Sequence, residues 1–175
     1  PYYREAVGQE KLRFRQWDFD PGYAGPVDGS RENLRELSRP GLLLPARDVR
    51  QLVALYDRGI AYVDYWVGEL VEGLRERGLY DETIVVLTSD HGEEFLEHGR
   101  LEHSFSYYEE MLKVPLIIRV PGERQGAVVE RTVGLVDVLP SLLDWLEIPA
   151  PEGLQGHSMR RGSDEAPGVA YGVSM

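Results

Sequence analysis

Residues 83–103 read TIVVLTSDHGEEFLEHGRLEH, and this stretch decides how the rest of the chain is interpreted. Its first part, residues 84–88, is apolar without polar alternation, which predicts a buried strand. The polar run Ser-Asp-His-Gly at 89–92 follows at once, where such a strand should end. His98 and His103 come next, so three of the four histidines lie within thirteen residues of one another. This concentration of side chains that bind metals or transfer protons is the main chemical signal in the sequence.

The composition bounds the classes of function. A chain of 175 residues with 42% hydrophobic and 28% charged residues has the length and content of one ordinary globular domain. The net charge of −11 argues against binding to nucleic acid or to an anionic membrane surface. Any anionic substrate must therefore be held by local positive charge.

Several kinds of site and segment are missing from the sequence. It contains no cysteine, so it has no disulfide, no thiolate metal site and no cysteine nucleophile. No window approaches 18 consecutive apolar residues, so we expect no membrane segment. The chain begins PYYREAV, without a signal segment or an initiator methionine, so we expect it to be cut from something longer. The cellular compartment stays open.

The sequence predicts an irregular region followed by one long helix. Residues 1–47 show no clear period and contain many Pro, Gly and aromatic residues. From Asp48 to Gly78, apolar residues recur every three or four positions, which predicts a helix with one apolar stripe facing a core. Asp48 is expected to cap its start. The glycines within it, Gly59, Gly68 and Gly73, suggest close packing against a neighbour.

The remaining elements are shorter. In chain order, the patterns predict the strand at 84–88, one or two helical turns at 107–112, a buried strand at 114–120, a short strand near 128–129, a helix at 137–146 and a loosely held, Pro/Gly-rich tail at 148–175. A helix, a tight turn and a buried strand together make half of a βαβ unit, so the fold class is α/β with a mostly parallel sheet.

Asp90 and His91 follow the predicted strand directly. Because ligands bind at the carboxyl ends of parallel strands, this pair is a candidate for holding a divalent cation. On the residues alone, an ordinary turn-capping role for the pair is equally favoured. Two adjacent ligands seldom complete a site, so further ligands must come from elsewhere in the fold.

The other polar residues of the stretch have simpler alternatives. His98 and His103 lie on the returning loop, where either can neutralise an anionic oxygen or donate a proton. For His98 alone, a surface or hydrogen-bonded role is favoured. Glu93 and Glu94 are interpreted as a solvated acidic turn rather than as ligands. His157 has no chemical neighbours in sequence and is interpreted as structural.

Beyond this, the chain resembles the C-terminal half of a sulfatase catalytic domain, in the alkaline-phosphatase superfamily. The resemblance lies in YDRGIAYVDYWVGELVEGLRERGLYDETIVVLTSDHGEEFLEHG, YYEEMLKVPLIIRVPG and VGLVDVLPSLLDWL, which occur in the family's order and spacing between residues 56 and 146. FDPGYAGPVDG, further upstream, is also similar to the family. The implied organisation is residues 1–147 as part of the catalytic domain, followed by the tail.

The resemblance implies a role for each residue of the site. Asp90 and His91 match the second pair of metal ligands, which implies calcium, with magnesium, manganese or zinc as alternatives. His103 matches a Lys or His that contacts the sulfate and the leaving-group oxygen, although Ser104 follows it where a glycine is common. His98 matches a histidine near the pocket. Both histidines are therefore candidate catalytic residues, and the implied substrate is a sulfated small molecule or glycan.

Other family features are not found in the sequence. The first Asp-Asp metal pair and the Cys/Ser-x-Pro-x-Arg segment that supplies the formylglycine nucleophile belong to the family's N-terminal half. We expect these features, and a histidine just before Pro1, to lie outside this chain. The implied activity is metal-dependent sulfate ester hydrolysis, with this chain inactive alone.

Two alternatives stay open. A phosphonate monoester hydrolase, phosphodiester hydrolase or phosphoglycerol transferase of the same superfamily shares the Asp-His pair and differs largely in its nucleophile. The chain could instead be a non-catalytic interaction module in which the incomplete metal site at Asp90 and His91 has a structural role. If sheet strands are missing, an exposed edge predicts homo-oligomers.

Overall fold

The computed structural model describes residues 20, 22–39, 41–103, 106–123, 126, 128 and 131–160. The elements are α1 (Arg31–Leu37), α2 (Ala46–Glu76), β1 (Val85–Thr88), β2 (Glu94–Phe95), β3 (Leu101–Glu102), α3 (Glu109–Leu112), β4 (Leu116–Arg119) and α4 (Val138–Trp145). Single 3₁₀ turns occupy Tyr80–Glu82 and Leu135–Asp137. Within the described ranges, no helix combines the length and the apolar character needed to cross a bilayer.

The chain divides into two compact units. The first unit joins Pro1–Glu82 to His91–Lys113, and the second joins Thr83–Asp90 to Val114–Met175. The peptide bond between Asp90 and His91 is therefore one of the places where the chain passes from one unit to the other.

Helix α1 lies inside the region predicted to be irregular. Its start is capped by Ser30, whose hydroxyl accepts a hydrogen bond from the Asn33 N–H at 3.2 Å. The prediction of irregular structure is therefore wrong for Arg31–Leu37. Seven residues make only two turns, which is too short for a hydrophobic period to stand out.

Helix α2 starts two residues before the predicted cap. Pro45 is at its N-cap position, and Asp48 lies inside the first turn. Asp48 is buried and accepts a hydrogen bond from the Tyr23 hydroxyl at 2.7 Å, so its predicted role as a cap is wrong. The pKa of Tyr23 is raised above its ordinary value, mainly by burial and to a smaller extent by this hydrogen bond to a carboxylate.

The fully buried residues of α2 all lie in its first half. Leu52 and Ala54 are buried, whereas Ile60, Val63 and Leu70 are between 54% and 61% exposed. The predicted apolar stripe therefore contacts a core along part of its length. A Cβ placed on Gly59 or Gly68 would meet nothing within 4 Å, so the packing suggested by these glycines is not seen among the described residues.

The core of the first unit lies between the two helices and a small hairpin. Its buried members are Val27, Leu37, Leu52 and Leu101. Strands β2 and β3 pair antiparallel, and Phe95 of β2 makes an edge-to-face contact with Tyr56 of α2 at 5.2 Å between ring centroids. This hairpin replaces the polar loop predicted after Gly92.

Gly92 fixes the segment that enters this hairpin. Its N–H donates to the carbonyl oxygen of Met111 at 2.9 Å. A Cβ at this position would overlap the carbonyl oxygen of Glu110. The glycine is therefore required for a close approach of two backbones.

In the second unit, β1 and β4 pair antiparallel from Val85 opposite Arg119 to Thr88 opposite Leu116. The α/β class is supported by this mixture of helices and strands, but the described strands do not form the predicted parallel sheet. Their apolar runs indicate burial and carry no information about direction. The connection leaves β1 and enters β4 at the same end of the pair, which is what antiparallel pairing requires.

Helix α4 matches its predicted range closely and anchors the chain that follows. The backbone N–H of His157 donates to Asp137 at 2.8 Å, and that of Met159 donates to the Ser141 hydroxyl at 2.8 Å. The expectation of a loosely held tail is therefore wrong up to residue 160. Val128 is described without strand structure, and Val129 and residues 161–175 lie outside the described residues.

The contact at Gly92 gives the first prediction. Substitution Gly92→Ala should destabilise the protein by about 1–3 kcal/mol, because the methyl group forces two backbones apart. The matched control is Gly68→Ala in open helix, which should stabilise the protein by about 1 kcal/mol. Urea unfolding followed by circular dichroism measures both changes. Equal stabilities for wild type and Gly92→Ala would contradict the backbone contact.

The two-stranded sheet gives the second prediction. Among the described residues each strand pairs on one side only, and Ile117 of β4 is 61% exposed. We expect these edges to associate with other copies of the chain. Size-exclusion chromatography with light scattering should show an apparent mass that rises with concentration. A monomer at every concentration would refute this expectation.

Candidate functional site

The predicted metal pair spans the boundary between the units. Asp90 lies two residues after the end of β1, as the sequence predicts. His91, His98 and His103 all belong to the first unit. Their contacts with other residues of that unit define the candidate site.

His91 and His103 lie side by side. Their ring centroids are 4.3 Å apart, and the rings are tilted by 31°. His91 precedes the backbone contact of Gly92, and His103 follows β3 directly. The structure therefore brings together two of the three predicted histidines from positions twelve residues apart in sequence.

The orientation of His91 is set by its own loop. Its Nδ1 lies 2.7 Å from the carbonyl oxygen of Gly92. Because a carbonyl can only accept, Nδ1 carries the proton, and in the neutral ring Nε2 keeps its lone pair. This is the tautomer in which histidine binds a metal through Nε2 while its other nitrogen donates to a carbonyl.

His103 is held by a carboxylate. Its Nδ1 lies 3.3 Å from both side-chain oxygens of Glu93, which is only 21% exposed. Glu102, the preceding residue, has a left-handed φ of 69° and accepts a hydrogen bond from the Ser38 hydroxyl at 3.0 Å. The backbone on one side of His103 and its ring are therefore both fixed.

His98 makes a separate set of contacts. Its ring stacks on Tyr108 with centroids 3.5 Å apart. Its Nδ1 lies 3.7 Å from Glu94 and 3.5 Å from Glu110. Glu94 is 1% exposed, so the prediction that it belongs to a solvated turn is wrong.

Sequence reasoning missed both glutamates as parts of the site. Glu93 contacts His103 across ten residues, and Glu94 is buried because β2 turns its side chain inward. A pair of acidic residues beside a glycine is typical of a surface turn, so the sequence carried no signal for either contact.

The described residues contain no group of three or more His, Asp or Glu side chains that could hold a metal ion. The donor types at positions 90 and 91 nevertheless suit a divalent cation, since one is a carboxylate and the other a histidine with the appropriate tautomer. Asp90 and His91 therefore stay candidate ligands.

A cavity of about 250 Å³ opens beside His103 in the first unit. Its apolar wall includes Leu52, Leu55, Phe95 and Leu101, and its polar wall includes Glu93 and His103. A cavity of this volume accommodates the apolar part of a small molecule with one end against the imidazole.

Comparison with known families gives one match over most of the chain. The model of the family named Sulfatase matches residues 6–148. This range includes every site residue described above.

Curated relatives of the chain are sulfatases by name. The chain is 40% identical to Arylsulfatase K of Bos taurus over 68% of its own length, and 37% identical to Arylsulfatase K of Homo sapiens over 94%. It spans 22% of the length of the first protein and 30% of the second.

Solved structures show the same likeness. A phosphonate monoester hydrolase from Silicibacter pomeroyi matches with a TM-score of 0.63 and 35% identity, over 73% of this chain and 25% of that one. A 2-O GAG sulfatase matches with a TM-score of 0.67 and 25% identity, over 79% of this chain and 31% of that one. The length of the family match and the identity to these relatives together show that the chain belongs to the sulfatase family.

Proposed function

We propose that the chain is part of a metal-dependent sulfatase that hydrolyses sulfate esters. The observation that carries this proposal is the contact between the His91 and His103 rings, formed inside the segment that matches the family. Because the two imidazoles have different hydrogen-bond partners, one is suited to bind a cation and the other to donate a proton.

Asp90 and His91 would hold the cation, which is calcium by the family pattern, with magnesium, manganese or zinc as alternatives. When bound, a divalent cation polarises the sulfate oxygens and offsets their negative charge. The bond from Nδ1 of His91 to the Gly92 carbonyl keeps Nε2 as the metal-binding atom. A cation held by Asp90 and His91 would also provide the local positive charge that a chain of net charge −11 needs near an anionic substrate.

His103 would serve the leaving group. In its protonated form, Nε2 gives its proton to the ester oxygen as the bond from sulfur to that oxygen breaks. Glu93 beside Nδ1 stabilises the imidazolium before the transfer and orients the ring throughout. The apolar wall of the cavity lies beside His103 and suits the carbon skeleton of the departing alcohol.

The nucleophile is proposed to come from outside these residues. The sequence has no cysteine that could be converted to formylglycine, and the chain spans 30% of the human relative's length. Two metal ligands without a nucleophile do not complete the hydrolytic site. The chain alone is therefore proposed to be inactive.

The substrate class is proposed to be a sulfated small molecule or glycan. Two of the structural relatives are a 2-O GAG sulfatase and a protein in complex with D-glucosamine-2-N,6-O-disulfate, the latter with 30% identity and a TM-score of 0.55. The names of both refer to GAG or sulfated-sugar substrates, which supports a sulfated glycan as the substrate class here.

A second candidate is phosphonate or phosphodiester hydrolysis, with phosphoglycerol transfer as a further variant. It is favoured by the likeness to the phosphonate monoester hydrolase, at 35% identity. The non-catalytic alternative is an interaction module in which the incomplete metal site at Asp90 and His91 has a structural role. Tight cation binding by the chain alone would favour that module.

The function is tested on the longest polypeptide encoded in frame with this chain. We expect metal-dependent hydrolysis of an aryl sulfate, faster than that of an aryl phosphonate, and no turnover by the chain alone. Substitution His103→Gln should lower kcat by about 10²- to 10⁴-fold, because the leaving oxygen loses its proton donor.

The control is His157→Gln, which alters an exposed ring and should leave kcat unchanged. Faster phosphonate hydrolysis would replace the sulfatase proposal with the second candidate. Metal-dependent turnover by the chain alone would refute the view that the nucleophile lies elsewhere.

A further inference from the structure

We propose that the cavity beside His103 selects the alcohol part of the substrate: it takes one apolar ring, neutral or cationic, and excludes a second anionic group. Among the sulfated molecules proposed above, this favours an ester whose alcohol carries no further acid group. The identity of the ester rests on the proposed function, whereas the binding of the ring stands on the geometry of the first unit.

The first step concerns the size and the apolar surface of the cavity. Its volume is about 250 Å³, and the apolar side chains that line it are Leu34, Leu52, Leu55, Tyr56, Phe95 and Leu101. An apolar cavity of about 150 Å³ is already large enough to bind benzene. The cavity therefore has room for one substituted ring, and burying that ring removes apolar surface from water.

The second step concerns the rigidity of this apolar wall. Leu52 and Leu101 are buried members of the core of the first unit. Phe95 is held by its edge-to-face contact with Tyr56, with the ring centroids 5.2 Å apart. The wall is therefore formed before a ligand enters, and binding does not have to order these side chains.

The third step concerns the charge of the polar wall. Its members are Glu93, Glu94, Glu102 and His103, and none of the described residues that line the cavity is a lysine or an arginine. With three carboxylates and one imidazole, the formal charge of this wall is −3 when His103 is neutral and −2 when it is protonated. The polar side of the cavity is therefore negative.

The charge of Glu94 is weakly compensated. Its side chain is 1% exposed, and its Oε2 accepts a hydrogen bond from the Ser106 hydroxyl at 2.6 Å. Its Oε1 accepts no hydrogen bond among the described residues. Nδ1 of His98, at 3.7 Å, is too far for a hydrogen bond and offsets this charge only when protonated. Because buried charges are screened less than exposed ones, Glu94 acts on whatever enters the cavity.

Arg58 is a buried cation of the same unit and has to be counted against this wall. It is 2% exposed and does not line the cavity. If Arg58 and a protonated His103 each offset one carboxylate, one negative charge still remains. A second sulfate or carboxylate on the substrate would therefore meet a like charge, whereas an ammonium group would meet an opposite one.

The test compares three phenols that share the ring and differ in charge: 4-ethylphenol, tyramine and 4-hydroxyphenylacetate. Binding to the chain is followed by NMR at about pH 8, where imidazoles are ordinarily neutral. The signals of Phe95 and Leu101 should shift with 4-ethylphenol, with a Kd on the order of millimolar. Those of Leu70, about 21 Å further along α2 than Tyr56, should not shift. Tyramine should bind at least as tightly, and 4-hydroxyphenylacetate at least about tenfold more weakly.

Two isosteric variants assign this discrimination to the wall. Glu102→Gln removes one charge from the cavity and keeps an oxygen that can accept from the Ser38 hydroxyl. It should reduce the ratio between the affinities for 4-ethylphenol and 4-hydroxyphenylacetate by about threefold or more. The matched control is Glu69→Gln, which removes the same charge from an exposed position on α2 and should leave the ratio unchanged.

Three results would overturn the proposal. The first is the absence of any shift of the Phe95 and Leu101 signals with 4-ethylphenol up to about 10 millimolar. The second is wild-type binding of 4-hydroxyphenylacetate as tight as that of 4-ethylphenol, a comparison that stands even if Glu102→Gln does not fold. The third is a change of the affinity ratio in Glu69→Gln as large as that in Glu102→Gln.

None of these readouts uses turnover, so the proposal and the proposed function can fail separately. In the longest polypeptide encoded in frame, kcat/KM for 4-ethylphenyl sulfate should exceed that for the sulfate ester of 4-hydroxyphenylacetate by at least about tenfold. Faster phosphonate hydrolysis by that polypeptide, with the three phenols bound in the expected order, would replace the proposed function and leave the selectivity of the cavity intact.

Discussion

The structure depends on the close approach of two backbones at Gly92. The N–H of Gly92 bonds to Met111, and the absence of a side chain lets the segment lie against the carbonyl of Glu110. This contact fixes the position of the backbone next to His91. The short hairpin of β2 and β3 then brings His103 back beside the His91 ring. A chain with a larger residue at position 92 would have to separate the segments that carry the two rings.

Apolar periods that repeat over many residues predict helices correctly in this chain. Short helices, short strands and the direction of strand pairing are not predicted by such patterns. The 31 residues of α2 repeat the apolar period enough times to be recognised, and α4 was found within one residue at each end. The seven-residue α1 and the two-residue strands of the hairpin leave no such period. Strand direction is set by the path of the connection, which the apolar runs of β1 and β4 do not encode.

The sequence singles out candidate site residues, but it does not predict their contacts. Family resemblance singled out Asp90, His91 and His103 by position, and the structure adds the ring contact between the two histidines. The roles of Glu93 and Glu94 depend on which way each carboxylate faces, and a one-residue alternation decides this. One glutamate holds His103, and its neighbour is buried against His98 and Ser106.

The central proposal is that Asp90 and His91 hold a cation next to His103. The most direct test is titration of the protein with paramagnetic Mn²⁺ while the ring signals of His91 and His103 are followed by NMR. The account predicts that both signals broaden at concentrations on the order of millimolar, as expected for an incomplete ligand set, and that Asp90→Asn weakens the effect about tenfold or more. A His91 signal that stays sharp, or broadening that is unchanged in Asp90→Asn, would contradict it.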